Sequence, residues 1–251
     1  MNKKSLIFLL LFIAGMLFLT SACSRDKQTE KSLPTARTVS TSASFTSANV
    51  TGREALDVIS FGSYEQDNNI LNGKEPVTWI VLAEENGKKL LISEKILDCI
   101  PYNEKFGDVT WETCTLRKWM NDVFYRDAFS DDEKAKIILT GADNNNNKNT
   151  DSPGGNDTND FVFAVSYNEL RKYALDINLR VSFATNYAKS KGIKVSDKSN
   201  SFGNSSWWLR SPGYNSCAAW TVSSDGSYIR GCSYNVNSTT IGVRPSIWIT
   251  I

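Results

Sequence analysis

Along this chain the spacing of apolar side chains changes character several times, and each change marks an element. Leu6 to Leu19 is an apolar run with no charge in it, whereas Ser24 to Gly52 is rich in Ser and Thr and follows neither a helical nor a strand period. That composition reads as a disordered stalk. Asp57 to Tyr64 (DVISFGSY) alternates like a short strand. Val77 to Ala83 (VTWIVLA) and Lys88 to Ser93 (KKLLIS) flank Glu85-Asn86-Gly87, a turn sequence that predicts their pairing as a hairpin. Leu116, Trp119, Met120, Val123 and Phe124 recur at helical spacing, which predicts an amphipathic helix over Thr115 to Tyr125 whose stripe faces the core. Ser130 with Glu133, and Ser166 with Glu169, are capping-box patterns that open two further short helices. The end of the chain reads as strands over Ser206 to Leu209, Ala218 to Val222, Ser227 to Arg230 and Gly242 to Ile249, punctuated by Ser-Pro-Gly and Asp-Gly turns. Helices and strands are mixed rather than alternating, so the expected class is α+β, with short helices and a β-rich C-terminal part, in one domain over residues 53–251.

The first segment carries an address. Lys3 and Lys4 precede the apolar run of 14 residues, which as a helix covers about 21 Å at ~1.5 Å per residue, short of a ~30 Å hydrocarbon layer. Residues 1–22 are therefore expected to be a cleaved signal. Leu19-Thr20-Ser21-Ala22-Cys23 resembles the bacterial lipoprotein box, although Thr20 stands where an aliphatic residue is usual. The resemblance implies a diacylglyceryl group on the Cys23 thiol and a fatty acyl group such as palmitate on its amino terminus. Cys23 and the stalk would occupy residues 23–52, with a mean reach of ~30 Å. The expected location is the bacterial cell envelope, lipid-anchored and extracytoplasmic, with the membrane as a partner through the anchor.

Composition narrows the chemistry. The chain holds no histidine among its 251 residues, so no Ser-His-Asp triad, HExxH zinc site or imidazole switch can be built. With 28 basic against 27 acidic residues and no basic block, nucleic acid is not an expected partner.

The succession FGSYEQD, EPVTWIVL, VTWETCTLRKWMNDVFY, WWLRSPG and GVRPSIWI, spanning Ile59 to Ile251, is similar to an uncharacterised bacterial domain family that ends in WWLRSPG…GVRPALWI. Ser246 stands where that family prefers Ala. The resemblance implies a C-type-lectin-like fold related to the formylglycine-generating-enzyme class. In the closing motifs Trp207, Trp208, Arg210, Gly242, Arg244 and Pro245 read as scaffold. Consecutive tryptophans on a strand face opposite sides, one into a core and the other over a rim. Each arginine could lock a loop through carboxylate or backbone bonds, and Pro245 fixes the exit of the last strand. An oxidase of the related class needs two reactive cysteines close together, whereas Cys99 and Cys114, like Cys217 and Cys232, lie 15 residues apart. Two disulfides or unpaired thiols both remain open.

Two stretches are left as candidate sites. Gly141 to Asp160 places Asp143, Asp151, Asp157 and Asp160 among amides and glycines, a donor set that suits calcium. The EF-hand pattern fails, however, with Lys148 at the glycine position and Gly154 at the bidentate acid. A solvated, mobile surface loop is the expectation, with no cofactor and structural calcium the sole exception. Ser211 to Pro245 contains no Lys, Glu, Gln or Met and is instead Ser, Asn, Tyr, Gly and Thr, the composition of a recognition surface. Tyr214, Asn215, Ser216, Trp220, Tyr228, Arg230, Tyr234, Asn235 and Asn237 are the expected contacts to a glycan or protein ligand. The same region resembles the variable segment of a diversity-generating retroelement target, whose altered adenines yield residues such as Asn215, Ser216, Cys217, Tyr228, Arg230, Cys232, Tyr234, Asn235, Asn237 and Thr239. The expected function is ligand binding without catalysis. The alternatives are a formylglycine-generating-enzyme-like oxidoreductase and a purely structural envelope protein.

Overall fold

The computed structural model describes residues 56–228 and 232–251. The signal, Cys23, the stalk and Arg230 lie outside the described residues.

The predicted hairpin forms and seeds the larger sheet. Strands β1 (Val58–Tyr64), β2 (Glu75–Glu85) and β3 (Lys88–Ser93) are successive antiparallel neighbours. Asn86 and Gly87 both adopt positive φ, 53° and 73°, as the two-residue turn between Glu85 and Lys88 requires. Next comes one helical rod made of α1 (Thr115–Trp119), a π turn over Met120–Phe124 and α2 (Tyr125–Ala128). Its buried residues Leu116, Met120 and Phe124 are four apart, while Val123, expected on the core stripe, is 37% exposed. The Tyr125 N–H bonds back to the Met120 carbonyl five residues earlier, and this wider turn rotates Val123 off the stripe.

Both predicted capping boxes close, at the starts of α3 (Asp131–Lys134) and, after the small hairpin β4 (Thr140–Ala142) and β5 (Thr158–Asp160), of α4 (Tyr167–Tyr173). Helices α5 (Ile177–Arg180) and α6 (Asn186–Ser190) follow. Strands β6 (Trp207–Pro212), β7 (Ala218–Val222) and β8 (Ser233–Asn235) make an antiparallel sheet, and β9 (Ser246–Thr250) returns to the first sheet beside β3, giving the order β1-β2-β3-β9. The architecture is mixed and mostly β, several antiparallel sheets joined by short helices, which agrees with α+β.

Three expectations at the C-terminal end need correction. Ser227 and Tyr228 are not strand, because the Ser223–Ser227 turn and the Trp220 indole N–H, which donates to the Tyr228 carbonyl at 2.6 Å, divert their backbone; the third strand is β8. The last strand begins at Ser246 rather than Gly242, since Gly242 and Val243 make only single bridges, to Trp207 and Asp98, and Pro245 has no N–H to donate. Trp207 and Trp208 are both fully buried, so neither covers a rim. The sheet is packed on both faces. Trp207 donates to the Arg180 carbonyl at 2.8 Å beneath the Arg244 guanidinium, and Trp208 donates to the Ile100 carbonyl at 3.0 Å beside Tyr102.

Candidate functional site

Helix α4 presents its side chains in a direction set by its first turn. Ser166 Oγ accepts from the Glu169 N–H at 3.1 Å and Glu169 Oε2 accepts from the Ser166 N–H at 2.7 Å. Tyr167 and Arg171, four residues apart, therefore share a face, with the guanidinium 5.9 Å from the ring centroid. Glu169 also receives both terminal nitrogens of the buried Arg210, one at 2.9 Å from Oε1. Arg210 further donates to the carbonyls of Ala164 at 3.1 Å and Asp143 at 3.3 Å. One guanidinium thus joins β6, α4 and the start of the Asn-rich segment. The Tyr167 N–H adds a bond to Ser211 Oγ at 2.9 Å.

The Asn-rich segment forms the opposite wall; most of its residues are exposed, as expected of a surface loop, yet it is laced to itself by side-chain bonds. Asn144 donates to the Asn156 carbonyl at 2.8 Å, and its own N–H donates to Asp157 at 2.8 Å. The buried Asn147 amide reaches the carbonyls of Pro212 and Gly213 at 3.1 and 2.8 Å, pinning the segment to the end of β6. Gly154 permits this closure, because a Cβ there would stand 2.0 Å from the Asn144 carbonyl oxygen.

Between the walls lies a cleft of ≈ 130 Å³ lined by Asn145, Lys148, Asn149, Tyr167, Arg171 and Trp220, among others. That is room for about four waters at ~30 Å³ each, the scale of a single ring. Trp220 is 7% exposed and its ring lies 5.1 Å from that of Tyr167, which in turn lies 5.6 Å from Tyr228. The Arg180 guanidinium covers Tyr228 at 5.0 Å. The cleft offers amide donors and acceptors, an aromatic wall and two cations.

The residues expected to contact ligand divide into two groups. Trp220 lines the cleft, and Tyr228 packs behind it against Tyr167. Tyr214, 47% exposed, and Tyr234, 42% exposed, stand with the exposed Asn215, Asn235 and Asn237 at one end of the β6-β7-β8 sheet. Its ladder places Ala218 opposite Asn235 and Ala219 opposite Tyr234. Ser216 is half-buried there, its hydroxyl donating to Asp108 at 2.5 Å, and Cys217 donates to the same oxygen at 3.1 Å. These two bonds, the hydroxyl's the larger, hold the Asp108 carboxyl below its usual range. Gly242, Arg244 and Pro245 are buried, with Arg244 donating to the carbonyls of Ser93 at 2.7 Å and Leu179 at 2.6 Å. Sequence reasoning missed Tyr167, Asn168 and Arg171. The available signal was the capping box itself, which fixes Ser166 as N-cap and so puts Tyr167 and Arg171 on one face.

The acids proposed for calcium do not gather. Asp160 is fully buried and taken by Arg117 at 2.6 Å and the Trp111 indole at 2.9 Å, while Asp157 and Asp151 accept from Asn144 and Asn146. Among the described residues, acids that do converge are Glu65, Asp67 and Glu75, within 4.8 Å of one another. Each of them accepts a backbone N–H, from Asn69 or Gln66.

Cys99, Cys114 and Cys217 carry free thiols. Cys217 adjoins β7 opposite Val236, and Cys232 lies opposite Thr221 at the other end of that strand. Four residues at ~3.3 Å each separate them by about 13 Å, beyond the ~7 Å Cα limit for a disulfide.

Residues 86–251 match the family model described as a domain of unknown function, DUF6273. No curated protein and no solved structure matches the chain.

Proposed function

We propose, from the premise that this chain belongs to the DUF6273 family of domains of unknown function, that it is a lipid-anchored, extracytoplasmic protein of the bacterial envelope that captures a glycan without catalysing its reaction. The observation that carries this reading is the cleft in which Tyr167 and Trp220 form an aromatic wall against the amides of Asn145, Asn149 and Asn168. Aromatic faces stack on the apolar side of a sugar ring, and planar amides pair with its hydroxyls. The exposed Tyr214, Tyr234 and Asn235 extend the contact over neighbouring surface. The anchor rests on the Leu6 to Leu19 run and Cys23. A C-type-lectin-like fold is supported by the closing WWLRSPG and GVRPSIWI motifs together with the mixed antiparallel architecture. Exposure of Asn215, Tyr234, Asn235, Asn237 and Thr239 suits positions diversified by a retroelement. A reverse-transcriptase gene beside a near-copy of this coding segment, differing at adenines, is the expected genomic sign.

A glycan array probed with the acylated protein, followed by calorimetry on the hits, tests the reading. Tyr167→Ala should weaken capture by roughly tenfold or more, the scale of one lost aromatic contact with its bonds. Tyr234→Ala should weaken it less, with the melting temperature unchanged. Capture of no glycan, or binding indifferent to Tyr167→Ala, would sink the reading.

A further inference from the structure

Lys148 and Arg171 come from different elements, the Asn-rich segment and α4, yet line the same cleft. Both are exposed, and neither belongs to any of the ion pairs among the described residues. Arg171 lies over the Tyr167 ring at 5.9 Å, and its donor fork meets no hydrogen-bond acceptor among the described residues. The nearby acid Glu169 is already committed to Arg210 through both oxygens. Asp143 is the one carboxylate in the lining, so the two cations leave the cleft net positive. An unused guanidinium beside an aromatic wall is suited to a planar carboxylate, which it can meet with two parallel bonds.

Resting on the reading of this cleft as a glycan site, we propose that its ligand is an acidic sugar, a uronic-acid residue whose ring lies against Tyr167 and Trp220 and whose carboxylate meets Arg171 and Lys148. The amides of Asn145, Asn149 and Asn168 serve the ring hydroxyls. The volume of ≈ 130 Å³ admits one ring, so selection acts on a chain end or a single splayed unit, and the rest of the glycan runs over the Tyr214 and Tyr234 surface.

Calorimetry on the full chain with three probes decides the matter: tetragalacturonate, its carboxyl-reduced neutral counterpart, and a tetraglutamate peptide. The acidic sugar should bind roughly tenfold or more tightly than the neutral one, the scale of one charge-assisted bond pair. Unlike the neutral sugar's, its affinity should fall as salt is raised from about 50 to about 500 mM, where screening becomes severe. Arg171→Gln should remove most of the preference for the acidic over the neutral sugar, with Arg171→Lys restoring part of it. Lys148→Ala should reduce it independently, so a folding defect in one variant leaves the other to decide. Equal affinity for the acidic and neutral sugars overturns the inference but leaves glycan capture standing. Equal binding of tetraglutamate also overturns it, since charge alone would then be read. Failure of both sugars, with glycans absent from the array, overturns the underlying reading as well.

Discussion

Tyr64 and Asp98 show how a single polar pair can be satisfied inside an apolar wall. Asp98 is 4% exposed, accepts the Tyr64 hydroxyl at 2.5 Å and the Cys99 N–H at 2.7 Å, and sits where Tyr64 also meets Trp119 and Tyr187 edge-on. Burial pushes the Asp98 carboxyl up, and the bonds from Tyr64 and Cys99 and the nearby Lys191 charge only partly offset it. A carboxyl whose folded pKa is raised binds its proton more tightly in the folded state, so stability falls as pH rises from the ordinary carboxylate value through the raised one. Removing the Tyr64 hydroxyl raises it further. Tyr64→Phe should therefore cost about 1–3 kcal/mol near pH 8 and clearly less near pH 4, measured by urea unfolding at the two pH values. A cost that is equal at both, or larger at pH 4, would contradict the assignment. Nothing in the local sequence paired these residues. The alternation of DVISFGSY predicts a strand that ends at Tyr64 but nothing about its partner, and the pair exists because β1 and the segment after β3 meet in space.

Among the elements, α4 carries more than its seven residues suggest. Its capping box was legible from Ser166 and Glu169 alone, because the box is a contact between residues three apart and needs no tertiary information. What the pattern could not show is that Glu169 also holds the buried Arg210. The two roles separate by substitution. Ser166→Ala removes one cap and should cost about 1 kcal/mol. Glu169→Gln keeps a group that can cap the helix but takes the charge from a 2% exposed guanidinium, and should cost roughly 3–5 kcal/mol. Thermal unfolding of both variants checks the order, and a Glu169→Gln cost no greater than that of Ser166→Ala would show that Arg210 finds compensation elsewhere. The π turn at Met120 to Phe124 is the converse case. The period placed the helix, but the outward turn of Val123 follows from an added backbone residue per turn that no hydrophobic pattern encodes.

Across the molecule, the thiols report on how closed the core is. Burial lifts the Cys99 and Cys114 thiols to about 12, with Asp98's charge adding to the effect at Cys99 and backbone N–H groups opposing it at Cys114. Cys217 lies near the surface, although its bond to Asp108 raises its thiol as well. Alkylation of the native protein followed by peptide mapping should modify Cys217 first and reach Cys99 and Cys114 only at the rate of unfolding. Labelling of Cys99 or Cys114 as fast as Cys217 would show a looser core than the structure describes. By itself the sequence determined what depends on neighbours along the chain: the β2-β3 hairpin through Asn86-Gly87, the amphipathic rod, the two capping boxes, the mixed class and the polar, aromatic surface near Tyr214 and Tyr234. Only the tertiary structure decided that β9 closes the first sheet beside β3, that both Trp207 and Trp208 are buried, and that the Asn-rich segment is pinned by Asn147 to the end of β6. The cleft belongs to this second group, since its walls are Asn145 to Asn149, Tyr167 to Arg171 and Trp220, segments tens of residues apart. A short-range pattern reports the state of a backbone segment, whereas a site is a meeting of side chains whose partners are chosen by packing.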